Sequence, residues 1–150
     1  MAAKPIPVVG EGVPPIVDGG TVQVAKVTVG SLGSTGYDVD LAAEAATTPI
    51  FNVKAGTMVL DVLAKVVTAY TGSVAMTIGD SDDVDGFMAD GELKSTVISS
   101  EFRSSKGSTA LTAVYQFGKV YSADQTIDIV TGASTIVGQM DVYLVYSRVG

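Results

Sequence analysis

The sequence predicts an all-β fold: a jelly-roll-like β-sandwich over residues 21–150, with an extended proline-rich N-terminal arm over residues 1–20. Three observations predict it. Runs rich in β-branched residues recur with turn signals about every eight to twelve residues, the pattern of a sandwich or jelly roll. The segment Ile50–Phe87 reads as a short strand, a tight turn, a long strand, a second turn, another strand and a sharply acidic loop. No stretch holds a helical period for more than about one or two turns, too short to stand as a helix.

Each element has its own reason. The arm holds Pro5, Pro7, Pro14 and Pro15, four of the five prolines, and proline fixes φ and keeps its predecessor extended. Its apolar Ile6, Val8, Val9, Val13, Ile16 and Val17 predict an arm that lies against its own domain or a neighbouring subunit. Thr21–Val29 is a strand by β-branched content, and Gly30–Gly36 (GSLGSTG) is a loop. Tyr37, Val39 and Leu41 alternate with Asp38 and Asp40, as in a half-buried strand. Leu41–Ala46 is an alanine-rich run of at most one helical turn, and Pro49 starts the next strand.

Met58–Ala69 needs arbitration. Asp61 and Lys65 stand four apart and would suit a helix pair. As a strand, the segment places Met58, Leu60, Val62, Ala64 and Val66 on one apolar face, with Asp61 and Lys65 on the other. Its valines and the flanking turns Ala55–Gly56 and Thr71–Gly72 favour the strand. Further strands are expected at Ser73–Ile78, Lys94–Ser99 (a short edge), Leu111–Phe117, Val120–Tyr121, Thr126–Val130, Thr135–Val137 and Met140–Val149. Ser104–Thr109 reads as a flexible loop.

Composition narrows function by exclusion. A chain of 150 residues is expected to be one domain and to bury roughly 70% of its unfolded surface, enough for a core without disulfides. Only 17% of the residues are charged, below the usual ~25%, so docking on other subunits is one expectation and a surface of Ser, Thr and Gly the other. A net charge of −7 argues against a nucleic-acid backbone as partner. The absence of His and Cys removes the commonest general base and the thiol nucleophile. The N-terminal residues show no apolar signal core, and no run approaches the ~20 apolar residues of a membrane span.

The densest charge is acidic: Asp80, Asp82, Asp83, Asp85, Asp90 and Glu92. Oxygen-rich loops bind calcium, so Asp80, Asp82, Asp83 and Asp85 form a candidate cation loop. The calcium-loop pattern fails, however: from Asp80, position five is Val84 and position six Asp85, and Glu92 arrives one residue late. The structural alternative is a solvated turn in which Gly86 allows the reversal. Asp82 with Asp83, or Asp38 with Asp40, offers paired carboxylates for acid–base work, but adjacent strand residues point to opposite faces. The Gly30–Gly36 loop lacks the Lys and following helix of a phosphate loop. Tyr143 and Tyr146 fall on opposite faces of the last strand, as packing residues. No catalytic residue and no cofactor is expected.

One resemblance adds to this reading. Phe51–Val53, Lys54-Ala55-Gly56-Thr57, Val59-Leu60-Asp61-Val62, and Ile78-Gly79-Asp80-Ser81-Asp82-Asp83 leading into Asp85-Gly86-Phe87 together resemble a segment of small structural proteins of tailed bacteriophages. The resemblance implies a β-sandwich that decorates or cements a capsid, or a related head or tail piece; a decoration protein would be located on the virion surface after synthesis in the host cytoplasm. The partners it implies are the major capsid protein and copies of the chain itself, as a homotrimer, with no nucleic acid and no membrane. Two other readings stay open: a receptor- or glycan-binding piece of a tail fibre or spike, with the acidic loop and Ser104–Thr109 at its tip, and a calcium-dependent β-sandwich.

Overall fold

The computed structural model describes residues 5–11, 21–30, 36–41, 46–71, 75–93, 95–104, 115, 117–132 and 137–149. Within them the chain forms a jelly-roll-like β-sandwich of ten strands: β1 (Val8–Val9), β2 (Gln23–Gly30), β3 (Val39–Asp40), β4 (Ala46–Val53), β5 (Thr57–Thr68), β6 (Met76–Gly79), β7 (Glu101–Arg103), β8 (Lys119–Tyr121), β9 (Gln125–Thr131) and β10 (Gln139–Arg148). One sheet has the order β1-β4-β9-β6. The other runs β3-β2-β10-β5-β7, with β8 also on the outer edge of β5. Pairing is antiparallel except β1 on β4 and β3 on β2, which are parallel.

Alternation builds the core. Met140, Val142, Leu144 and Tyr146 of β10 point inward, beside Val27 and Val29 of β2. Ile127 and Ile129 of β9 meet them from the facing sheet, with Phe51, Val53 and Ile78. Tyr143 and Tyr146 do lie on opposite faces, half-buried and buried respectively. β1 draws part of the proline-rich segment onto the sandwich. Val8 and Val9 run beside Asn52 and Val53, and Val9 is fully buried.

β5 is a strand, but its predicted face is broken. Val145 pairs with Asp61 and Tyr146 with Val59, so Leu60 is an extra residue in a β-bulge. The bulge shifts the phase. Val62, Ala64 and Val66 face the core as expected, but below the bulge the core residues are Thr57 and Val59, and Met58 and Leu60 are half-buried on the outside. A second irregularity lies at Ile50. Pro49 does not start β4 but sits inside it, beside the register shift, where a missing N–H is tolerated. Ile50 and Phe51 are consequently both buried.

Other expectations shift with the edges. The Lys94–Ser99 segment forms turns at its described residues, and the edge strand comes later, at Glu101–Arg103. The Tyr37–Leu41 strand shrinks to Val39–Asp40. Tyr115 and Phe117 stand in a turn, and Val137 lies outside any strand. The Ser73–Ile78 strand becomes Met76–Gly79. The rest of Leu111–Phe117 and of Thr135–Val137 lies outside the described residues, as do residues 1–4 and 12–20 of the arm, 31–35 of the glycine-rich loop, 42–45 of the alanine-rich run, 72–74 before β6, and 105–109 of the Ser104–Thr109 loop.

Gly10 closes the first strand with φ of +89°, and a Cβ there would run into the Thr57 side chain at the start of β5. The position therefore needs glycine both for its left-handed backbone and for the close approach. Gly10→Ala is expected to cost about 2 kcal/mol. Urea unfolding checks this: the midpoint should fall with the slope unchanged.

Candidate functional site

The acidic loop leaves β6 at Asp80 and folds straight back. The Asp80 N–H donates to the Asp83 carbonyl at 2.9 Å, and the Gly86 N–H reaches the same carbonyl at 3.2 Å. Phe87 and Met88 then return along Ile78, whose N–H donates to the Met88 carbonyl at 3.0 Å. Phe87 and Met88 are fully buried, so the loop is anchored by its exit as well as its entry.

Asp80 departs from the solvated-turn expectation: it is 1% exposed. Its Oδ2 accepts from Lys119 Nζ at 2.6 Å and from the Tyr121 hydroxyl at 2.7 Å. Its Oδ1 accepts from the Asp82 and Asp83 N–H groups at 3.0 and 3.2 Å, and from the Tyr115 hydroxyl at 3.3 Å. Lys119 is enclosed in turn. It pairs with Asp82 at 2.8 Å, donates to the Tyr115 hydroxyl at 3.0 Å, and lies 4.4 and 4.9 Å from the ring centroids of Tyr115 and Tyr121. Phe87 packs edge-on against Tyr115, with ring centroids 5.0 Å apart.

The electrostatics follow from this enclosure. Burial alone would lower the Lys119 ammonium's pKa, but hydrogen bonds to Asp80, Asp82 and Tyr115 outweigh it and hold the group above its ordinary value. Burial, followed by the Asp80 carboxylate, pushes the Tyr121 phenol well up. Lys119 and then Gln125 hold Asp82 below the usual carboxylate range. The hydrogen bond to Asp83, then burial and the Asp83 charge, raise Asp85.

The four acids of the candidate cation loop thus have different places. Asp80 is inside and engaged at both oxygens, Asp82 is exposed and ion-paired, and Asp83 accepts the Asp85 N–H at 3.4 Å. Among the described residues no three acidic side chains converge as a metal-binding group. The other paired acids also separate: Asp38 accepts the Thr28 N–H at 3.1 Å, while Asp40 is exposed. Lys119, Tyr115 and Tyr121 went unnoticed in the sequence because they stand 35 to 41 residues from Asp80. The available signal was a lone lysine in an apolar strand, Gly118-Lys119-Val120-Tyr121, which needs a buried partner.

A second buried acid, Asp61, sits at the β5 bulge. Arg103 donates to its Oδ2 at 3.0 and 3.3 Å, and the Ser104 hydroxyl to its Oδ1 at 2.9 Å. Ser104 Oγ also accepts the Val62 N–H at 2.8 Å, filling the gap on the β5 edge between β7 and β8. A groove of about 290 Å³ crosses β1, β4 and β9, lined by residues including Asn52, Lys54, Asp124 and Thr126, where Lys54 and Asp124 pair at 2.8 Å. The Asp61 and Lys54–Asp124 contacts hold elements together.

No protein-family model and no curated protein matches the chain. Solved structures do. A chain of the cyanophage Pam1 capsid asymmetric unit aligns with a TM-score of 0.55 at 19% identity, covering 84% of each chain. A chain of the acid-stable capsid of the Helicobacter pylori bacteriophage KHP30 aligns with a TM-score of 0.57 at 10% identity, over 87% of this chain and 90% of that one. A chain of the Ralstonia phage GP4 capsid aligns with a TM-score of 0.55 at 11% identity, over 98% and 91%. At these identities the likeness is one of fold.

The Asp80 cluster makes alkali the weak side of the protein. Unfolded, Lys119 and Tyr121 release protons near their ordinary values of about 10.4 and 10. Folded, both hold them to higher pH. The native state then binds more protons than the unfolded one, so stability falls as pH rises above about 10. Thermal melts from pH 8 upward should show this fall, and Tyr121→Phe, which removes one of the contributing groups, should make it shallower.

Proposed function

We propose that this chain is a non-enzymatic structural protein of a bacteriophage particle: a head decoration or cement subunit on the capsid surface, bound to the major capsid protein and to copies of itself as a trimer. The observation that carries the reading is the end-to-end fold likeness to chains from three phage capsids, in which both partners of each alignment are covered over 84–98% of their length. A match of that extent compares whole subunits of similar size.

The site geometry supports the same reading. Both buried carboxylates and the enclosed lysine are committed to internal partners, the use expected of groups that fix loops in a particle component. The segment that resembles phage structural proteins forms β4, β5, β6 and the acidic loop, and so contributes strands to both sheets. A net charge of −7 suits binding to protein and disfavours contact with the packaged nucleic acid. A cement subunit works through packed apolar surface and backbone pairing.

Cryo-EM of intact particles tests the proposal. It should place this sandwich on the outside of the head, in contact with the shell. A particle that carries the chain only in its tail, or lacks it, would overturn it.

A further inference from the structure

The two outer faces of the sandwich differ. On the four-stranded sheet, alternation turns polar Asn52, Thr126 and Asp128 outward, together with half-buried Val130. On the six-stranded sheet it turns out Val24 of β2, Val145 of β10, Met58 and Leu60 of β5 and Val120 of β8. Val24 is 61% exposed and Val120 53%. Of the large apolar side chains exposed on described strands, Val24, Val67 and Val120 belong to this sheet and Val8 alone to the other. The β5 bulge contributes, because it puts Leu60 outside as well as Met58.

Among the described residues, charge on this face is paired in place. Lys26 pairs with Asp141 at 2.8 Å, Lys65 with Glu101 at 3.2 Å, and Arg103 with Asp61 at 3.0 Å. These pairs sum to zero in a chain of net charge −7. Asp40 is exposed at the β3 margin. Two copies of so acidic a chain repel wherever their acids meet. They can approach without that penalty on a face whose charges are already neutralised. Exposed apolar strand surface then supplies the driving force.

We infer that the outer face of the six-stranded sheet, across β2, β10, β5 and β8, is the surface through which this chain binds a second copy of itself. The inference rests on the self-contact in the reading above and names its surface; it is tested on the purified chain, so its failure removes the self-contact and leaves the docking on the shell to the particle experiment. The contact is apolar and each protomer acidic, so added salt screens the repulsion and tightens association. A contact built on opposite charges would loosen.

Sedimentation equilibrium of the full-length chain over a series of concentrations and salt levels tests this. The wild type should self-associate reversibly, more tightly at higher salt. Val24→Asp and Val120→Asp lie at exposed positions and should keep the wild-type circular dichroism and melting temperature. Each should weaken association by more than about tenfold, since it sets like charges opposite each other. Val84→Asp, in the acidic loop, should leave association unchanged. A wild type that stays monomeric at every concentration and salt overturns the inference, including one that docks only on capsid shells. Equal effects of all three substitutions would overturn it too.

Discussion

A carboxylate without solvent can stay in an apolar sandwich only if the protein replaces the water it has lost. Asp80 sits under that constraint, at the end of β6 where the two sheets meet the acidic loop. Its replacement is complete: an ammonium, two phenols and two backbone N–H groups. The donors come from three pieces of chain: the loop itself, through Asp82 and Asp83, the turn that carries Tyr115, and β8, through Lys119 and Tyr121. Satisfying one side chain therefore fixes the loop's conformation, the turn that carries Tyr115, and the position of β8 against the edge of β5. The acids that follow Asp80 are spread outward by the same geometry, and only Asp82 remains close enough to share the lysine.

Much of the fold was legible in the sequence because alternation is a local signal. Met140–Val149 and Thr126–Val130 can be recognised as strands from their own residues, and β10 and β9 lie there. The errors fall where local pattern and tertiary pairing disagree. The even positions from Met58 to Val66 are all apolar, yet a bulge at Leu60 divides them, because β10 sets the register and β10 has no extra residue. Pro49 reads as a strand start by its missing N–H, but a bulge next to it provides another place where that loss is harmless.

The candidate site was half legible. The density of acids between Asp80 and Glu92 is visible at once, and it draws attention to the right loop. Which acid is buried is not visible, since Lys119 and Tyr121 come from a strand about forty residues on. Asp61 is similar. Its spacing to Lys65 would suit a helix pair, but the segment is a strand, and the structure gives Asp61 to Arg103 and Ser104, and Lys65 to Glu101. In both cases a charge that looked like surface decoration is a fastening between elements. On the six-stranded sheet the same assignment pairs described charges with one another.

The central claim is that Asp80 and Lys119 act as one unit inside the sandwich. A double-mutant cycle measures it directly, using urea unfolding of the wild type, Asp80→Asn, Lys119→Met and the double variant. The account predicts a coupling energy of about 2–3 kcal/mol, with the second substitution costing little once the first is made, because each residue's burial depends on the other. Losses that add to within about 0.5 kcal/mol would contradict it and return the acidic loop to the solvent.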